Sequence, residues 1–387
     1  MKVLFLSQGR KVDDQIGYHM AFQNGQSHGR PIEIKNIPWI GYAEAHGCNS
    51  LWNEILRVNN EFTPDLVFFQ RFHSPLKGSP VECIKELKKA SNSPLIFGDL
   101  GDLFQPSFFK PWRRPIPHAL QDVVRMSDLF FTTSMGSLAD YLFKLGAKKV
   151  ALLPLAFSNY HFPDWSAPLP VDYDYDVVMV GSAPKIRKRY PFASLHLRFD
   201  RQQTVDLLWK RYGKRFGLFG YGWECHPTWR GVLPFNEQIK LYKSSRVCID
   251  AKPPYPNMYY GSNRPFYISG SGSMLVQYYT PRFEQMLKSG VHSNFINNHD
   301  ELIKVCDTLL KRDAGELRKI GEDNMRFVQE HHTVDKRVDT IISFAEAMRE
   351  DPGMRLHDML PQLRCWHFHY EVNLMDESRF AIRSREQ

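Results

Sequence analysis

Two short glycine-bearing segments and a few carboxylates carry most of the chemistry this chain could do. The first segment is GSAPKIRKR, residues 181–189, and the second is GYGWE, residues 220–224. Each directly follows an apolar run that reads as a strand. Glycines at such a place let backbone N–H groups approach a phosphate, and a helix starting beyond adds partial positive charge. Arg187 and Arg189 could clasp a diphosphate through paired N–H donors. A plain turn is the competing reading of either glycine segment alone. Neither fits G-x-G-x-x-G or the phosphate loop G-x-x-x-x-G-K-S/T, which argues against nicotinamide or ATP-hydrolysing chemistry.

The candidates for general acid–base work lie earlier in the chain. Asp99 and Asp102 in FGDLGD bracket a Leu-Gly turn just past the apolar run PLIF. Asp13 and Asp14 follow the first apolar run, and His73 in QRFHSP follows DLVFFQ. A base near a reacting hydroxyl is what such carboxylates could supply. Helix capping or a turn is the competing reading for the aspartates, and a structural hydrogen bond for His73. Asp99 ranks first. No dense His/Asp/Glu cluster has metal spacing. His367 and His369 would share one face of a strand, a pair more simply read as structural.

Charge is the third signal. The 387 residues carry 50 basic and 42 acidic side chains, a net +8. The window from Lys185 to Arg215 holds ten basic residues against Asp200 and Asp206, so it alone accounts for +8. A solvated helix face with basic residues near its C-terminal end is one reading of the second half. The first half follows a strand directly and reads as an anion site. The 43% apolar and 24% charged composition is that of a globular protein and excludes collagen-like and low-complexity chains. No apolar run approaches a membrane span. The start, MKVLFLSQGRK, reads as a buried strand rather than a signal peptide. Six widely spaced cysteines fit free thiols in a reducing, cytoplasmic compartment.

These residues need a scaffold, and the apolar pattern predicts one. Strands are expected at 3–6, 65–70, 94–99, 128–133 and 149–154, with helical spacing in NSLWNEILRVNN, VECIKELKKA and SLADYLFKLG between them. Such alternation argues for a parallel sheet covered by helices. A segment rich in proline and aromatic residues, 153–176, interrupts it. The alternation restarts with strands at 176–182, 215–223, 247–250, 274–279 and 293–296 and helices at 236–244, 263–270, 281–289 and 298–311, then two long closing helices. The expected fold class is α/β: two doubly wound Rossmann-like domains facing across a cleft. The expected division is 1–155, a linker at 156–175, a second domain at 176–345 and a tail at 346–387. Ligands of such sheets bind beyond the carboxyl ends of the strands.

The second half resembles the GT-B glycosyltransferases, and specifically the CgeB-like group. Four segments carry the resemblance: DVVMVGSAPKIRKRYP; FGLFGYGWE with RGVLPFNEQIKLYKSSRVCID; SNRPFYISGSGSMLVQYYTPRFEQML; and HDELIKVCDTLLKRDAGELRKIGEDNMRFVQEHHTVDKRV. Together they cover about 176–345. The resemblance implies a nucleotide-sugar donor, a UDP-sugar first, and no required metal or other cofactor. It implies that Gly181, Ser182, Arg187 and Arg189 hold the diphosphate and that Tyr221, Gly222 and Trp223 shape the donor pocket. Val232 and Leu233 would read the base, and Asn263 and Arg264 would face the diphosphate or sugar. His332 and Arg337 would tie the closing helices together. Tyr267 stands at a donor-binding position where the group has a donor-contacting Glu, so the resemblance implies that the contact has moved, to Glu284, or that the donor differs, or that the chain is an inactive relative.

The acceptor is read from the charge. Lys185, Lys188, Arg198 and Arg201, with aromatic residues among them, and Lys110, Arg113 and Arg114 in FKPWRRPIPH could track a polyanion. This points to duplex DNA with a hydroxylated base as partner and acceptor. The alternatives are a cell-envelope glycan, lipid or protein acceptor, a non-catalytic binding protein, or a sugar-phosphate enzyme such as an epimerase or phosphorylase.

Overall fold

The computed structural model describes residues 1–72, 79–90, 92–101, 118–162, 164–170, 172–186, 191–251, 253, 257–356, 358–359 and 374–376. The chain divides into two compact units, Met1–Leu155 with Val334–Gln387, and Ala156–Thr333.

The first unit opens with β1 (Lys2–Ser7), α1 (Ile16–Asn24), the small hairpin β2 (Gln26–Ser27) and β3 (Arg30–Pro31), and β4 (Glu33–Pro38). Helices α2 (Trp39–His46) and α3 (Cys48–Phe62) lead to β5 (Leu66–Phe69). Then come α4 (Val81–Lys89), β6 (Leu95–Asp99), α5 (His118–Met126), β7 (Leu129–Thr132), α6 (Ser137–Lys144) and β8 (Lys149–Leu152). The central strands are apolar at most positions because helices cover both faces of a parallel sheet. All four residues of β5, Leu66 to Phe69, are buried. Phe5 stacks on Phe68 at 5.9 Å between ring centroids, and Phe68 meets Phe131 edge-on at 6.4 Å, which ties neighbouring strands into one core.

The second unit repeats the plan. It runs β9 (Tyr175–Val180), α7 (Pro191–Tyr212), β10 (Phe216–Phe219), α8 (Gln238–Lys243), β11 (Ser245–Asp250), α9 (Arg264–Gly270), β12 (Met274–Tyr278), β13 (Asn294–Ile296), α10 (His299–Leu310) and α11 (Ala314–His331). Its sheet order is β10-β9-β11-β12-β13, all parallel. The chain leaves β9 toward β10 and then continues on the other side through β11. The order therefore reverses between β9 and β11, and the crevice beyond their carboxyl ends is where such sheets bind ligands.

The chain then returns to the first unit through α12 (Val334–Glu350) and the short β14 (Leu374–Asp376). Arg337 is fully buried and donates from Nε to the Pro154 carbonyl at 2.8 Å and from Nη2 to the Leu155 carbonyl at 3.1 Å. The first sheet is ordered β14-β8-β7-β6-β5-β1-β4, parallel except for the antiparallel β14. It reverses direction between β1 and β5. The two units thus both have the doubly wound parallel architecture expected from the alternation.

Three expectations differ. The helix expected at 281–289 is only a 3-10 turn, Phe283–Gln285, because Pro281 and a left-handed Arg282 (φ 70°) precede it. The basic window contains one 22-residue helix, α7, which charge alone did not delimit. The strand β4, EIKNIP, was not anticipated: its edge position leaves it half-exposed and its apolar signal weak.

Candidate functional site

The reversal point of the second sheet is built by two turns pressed together. The Gly181 N–H donates to the Phe219 carbonyl at 2.8 Å, and the Ala183 N–H to the Tyr221 carbonyl at 2.8 Å. Trp223 is buried and donates its indole N–H to the Gly181 carbonyl at 2.7 Å, so its role in this corner is to lock the turns. Gly220 lies at φ +134°, and a Cβ there would come within 2.6 Å of the Gly181 carbonyl oxygen. Only glycine permits that approach. Gly222, at φ +83°, donates its N–H to Glu224 Oε1 at 2.8 Å, and this backbone bond holds the Glu224 carboxyl below the usual range.

These bonds consume most of the turn donors and leave others free. Ser182 is exposed, and its backbone N–H and hydroxyl have no hydrogen-bond partner among the described residues. Tyr221 is 64% exposed beside it. A Cβ on Gly181 would meet nothing nearer than Arg264 Nη2 at 4.0 Å, so the turn opens onto a guanidinium.

The charge around that opening is unequal. Arg264, the first residue of α9, pairs through Nη1 with Oδ1 of Asp250, the last residue of β11. Burial works against the Arg264 cation, but Asp250 and neighbouring tyrosines outweigh it and raise its pKa. From α7, Arg201 donates to the Ser182 carbonyl at 2.7 Å. Burial, and then the nearby Arg264 charge, push the Arg201 pKa down to about 10. Arg264, paired with Asp250, and Arg201, held on the Ser182 carbonyl, therefore put two guanidinium groups beside the glycine turn. A bound anion would relieve both, and a diphosphate has the charge to do so.

Other sequence candidates fall around this point. Val232 is exposed and Leu233 half-buried in the segment after β10. Asn263 precedes Arg264 at the N-cap position of α9, without a side-chain capping bond. Tyr267 is buried, its ring edge-on to Phe157, Phe162 and Phe235 at 5.6, 5.4 and 5.9 Å. Glu284 accepts a long 3.4 Å bond from the Tyr279 hydroxyl through Oε1, while Oε2 is buried without a hydrogen-bond partner. Lys185 is exposed and Arg198 half-exposed. Arg187, Lys188 and Arg189 lie outside the described residues. Sequence reasoning missed Asp250; its place at the end of the strand VCID was the available signal. It also set Arg201 on an acceptor-facing surface; the Arg201 side chain donates to the Ser182 carbonyl.

In the first unit, Asp99 ends β6, buried, and its Oδ1 accepts the Arg71 N–H. Arg71 is in the left-handed region (φ 47°), and its side chain lies across Gly101, where a Cβ would sit 2.5 Å from Nε. Arg71 Nε is buried without a partner. Burial, and then Asp99, raise the nearby Tyr18 hydroxyl to about 12. At the β1–β5 reversal, Gln70 accepts the Gln8 N–H at 3.1 Å and donates to Gln15 at 3.2 Å. Asp13 is exposed in a 3-10 turn. Asp14 accepts the backbone N–H groups of Arg10 and Lys11, which lower its pKa, so it serves that turn. His73, Asp102, Lys110, Arg113, Arg114, His367 and His369 lie outside the described residues.

Among the described residues, no three His, Cys, Asp or Glu side chains are grouped to hold a metal ion. No described helix is long and apolar enough to cross a membrane. Cys48, Cys83, Cys225, Cys248 and Cys306 are free thiols.

Two doubly wound units of this kind define the GT-B fold, and known structures share it. A glycosyltransferase from Rickettsia africae superimposes with a TM-score of 0.57 at 10% identity, covering 90% of this chain and 99% of that one. HepE from Anabaena, solved with UDP and glucose, gives 0.52 at 14%, covering 90% and 99%. Sucrose-phosphate synthase from Thermosynechococcus elongatus gives 0.51 at 11%, covering 90% and 98%. Residues 201–343 match a sequence family described as glycosyl transferase-like. No curated protein matches the chain by sequence.

These likenesses correct one expectation. DNA carrying a hydroxylated base is not the acceptor the comparisons support: the structures it resembles are described as a glycosyltransferase, a sucrose-phosphate synthase and a protein holding UDP and glucose, and none of these three as DNA-modifying. The physical reason is that part of the basic window is paired within the fold. Arg211 pairs with Asp307 at 2.8 Å, Arg215 with Asp176, and Arg201 holds the Ser182 turn. The surplus that looked like a polyanion track is partly neutralised by acids distant in sequence.

Proposed function

We propose that this protein is a nucleotide-sugar-dependent glycosyltransferase whose donor sits on the second unit and whose acceptor is a hydroxyl of a cell-envelope glycan, lipid or protein. One observation carries the donor assignment: the Gly181–Ser182 turn, with donors unused among the described residues, opens onto the Arg264 guanidinium and is held from its carbonyl side by Arg201. The Ser182 N–H and hydroxyl and Arg264 bind the diphosphate, and Arg201 holds the turn and adds its field. Tyr221 lies over the donor, and the segment at Val232 and Leu233 meets the base. Uridine is the favoured base, a choice supported by UDP in the HepE structure. Glu284, with a carboxylate oxygen awaiting a donor, takes a sugar hydroxyl in place of the position held by Tyr267.

Within the GT-B transferases the chain belongs with the CgeB-like group, a placement supported by the motif series from 176 to 345. Asp99 is the candidate base for the acceptor. Free thiols go with a reducing cytoplasmic setting. The test is to incubate the protein with UDP-glucose, UDP-galactose and UDP-N-acetylglucosamine and follow UDP release. Release with one sugar, accelerated by an envelope-glycan fraction, is expected. Failure of every donor to bind or turn over would defeat the reading.

A further inference from the structure

The second unit has a separate basic cavity at the amino end of its central strand β9, opposite the Gly181 turn. It encloses about 280 Å³ and is lined by Arg211, Arg215, Arg246 and Lys311 against only Asp176 and Asp307. Asp176 is the second residue of β9, and Gly181 follows the last. Five strand steps of about 3.3 Å put roughly 16 Å between this cavity and the Gly181 turn. The two are distinct sites.

The ion pairs inside it do not balance. Asp307 is occupied by Arg211, through bonds of 3.1 and 2.8 Å. Asp176 is shared by Arg215 and, at 3.6 Å, by Arg246. Three guanidinium groups thus divide two carboxylates, and Lys311 adds an exposed ammonium. The Nε of Arg246 is buried with no hydrogen-bond partner. Its Nη2 donates to the carbonyls of Leu310 and Arg312, both at 2.9 Å. Those bonds cover carbonyls at the C-terminal end of α10, whose partial negative charge would otherwise repel an anion. A concave, mostly polar space with surplus fixed cations and an unused buried N–H suits an anion with a polar body.

We propose that this cavity binds a phosphorylated small molecule of about sugar-phosphate size, separate from the donor site. The phosphate bridges Arg215 and Lys311 at the mouth, and the polar body fills the space toward Arg246. This site rests on its own residues and stands whether or not the donor assignment does.

The test is calorimetric titration of the full chain with ribose 5-phosphate and with inorganic phosphate. The Arg215→Ala/Lys311→Ala variant changes two exposed side chains, so the fold is expected to survive, which its melting temperature checks. Lys319→Ala, an exposed lysine outside the cavity lining, controls for general charge. Ribose 5-phosphate should bind the unaltered protein and Lys319→Ala alike and at least tenfold more weakly to the double variant. It should also bind more tightly than inorganic phosphate. Equal affinity for the two ligands would reassign the cavity to free phosphate. No binding, or binding unchanged in the folded double variant, would overturn the site.

Discussion

Arg264 and Asp250 form an ion pair across the reversal point of the second sheet, one at the start of α9 and the other at the end of β11. The pair does two things. It satisfies a mostly buried carboxylate, and it holds Arg264 beside the Gly181 turn. Asp250 also competes with any bound phosphate for the same guanidinium. Replacing Asp250 by Asn should therefore lower stability, by about 1–3 kcal/mol, the cost of leaving a buried hydrogen-bonding partner unsatisfied. The same change should tighten UDP binding, because the Arg264 guanidinium then lacks its resident anion. Chemical denaturation and UDP titration of Asp250→Asn check both directions; weaker UDP binding in a folded variant would count against the competition.

The contact between the two glycine turns sets a second expectation. Gly220→Ala forces a Cβ to within 2.6 Å of the Gly181 carbonyl and places a side chain at φ +134°. Strain of this kind costs about 1–3 kcal/mol. Because relief must come from the turns, donor affinity should fall along with stability. Gly231→Ala is the comparison: it has positive φ but no neighbour within 4 Å, so it should cost stability without moving the turns.

Asp99 is the testable base. Asp99→Asn keeps the shape and can still accept the Arg71 N–H. If Asp99 takes the acceptor proton, kcat should fall by about 10²–10⁴ while UDP affinity is unchanged. A variant that keeps full transfer activity would return Asp99 to the turn role that sequence reasoning kept open.

Alkaline stability follows from buried acids. Burial pushes the Cys248 thiol up to about 12 and the Tyr278 hydroxyl to about 12. The folded state therefore holds these protons more tightly than the unfolded chain. Their contribution to stability is complete below the ordinary thiol and phenol range and is lost as the pH rises toward 12. Denaturant midpoints measured from pH 8 to 11 should fall progressively above about pH 9. Cys248→Ala should flatten the lower part of that fall.

The scaffold was legible because its signal is local and redundant. Runs such as LVFF and VVMV are buried on both faces, and period and length alone distinguish them from the helices between. The edge strand β4 gave a weak signal because one side of it faces solvent. The glycine turns were legible for a related reason: a strand ending in glycine is visible in one dimension. The charge was not. Arg211 is paired with a residue 96 positions away, so the basic window was overread as free surface. Tyr267 shows the same limit. The sequence marks it as a departure at a donor position, but only the fold reveals its ring within the cluster of Phe157, Phe162 and Phe235.

The most direct test of the donor site is UDP titration by calorimetry, comparing the unaltered chain with Arg264→Met. Methionine keeps much of the length and apolar bulk of the arginine stem while removing the charge. The unaltered protein should bind UDP saturably, and at a hundredfold excess over Kd the ligand should add about 2.7 kcal/mol to its stability. Arg264→Met should bind at least tenfold more weakly while remaining folded. UDP binding that is absent from the unaltered protein, or identical in the folded variant, would contradict the assignment of the nucleotide-sugar diphosphate to the Gly181 turn.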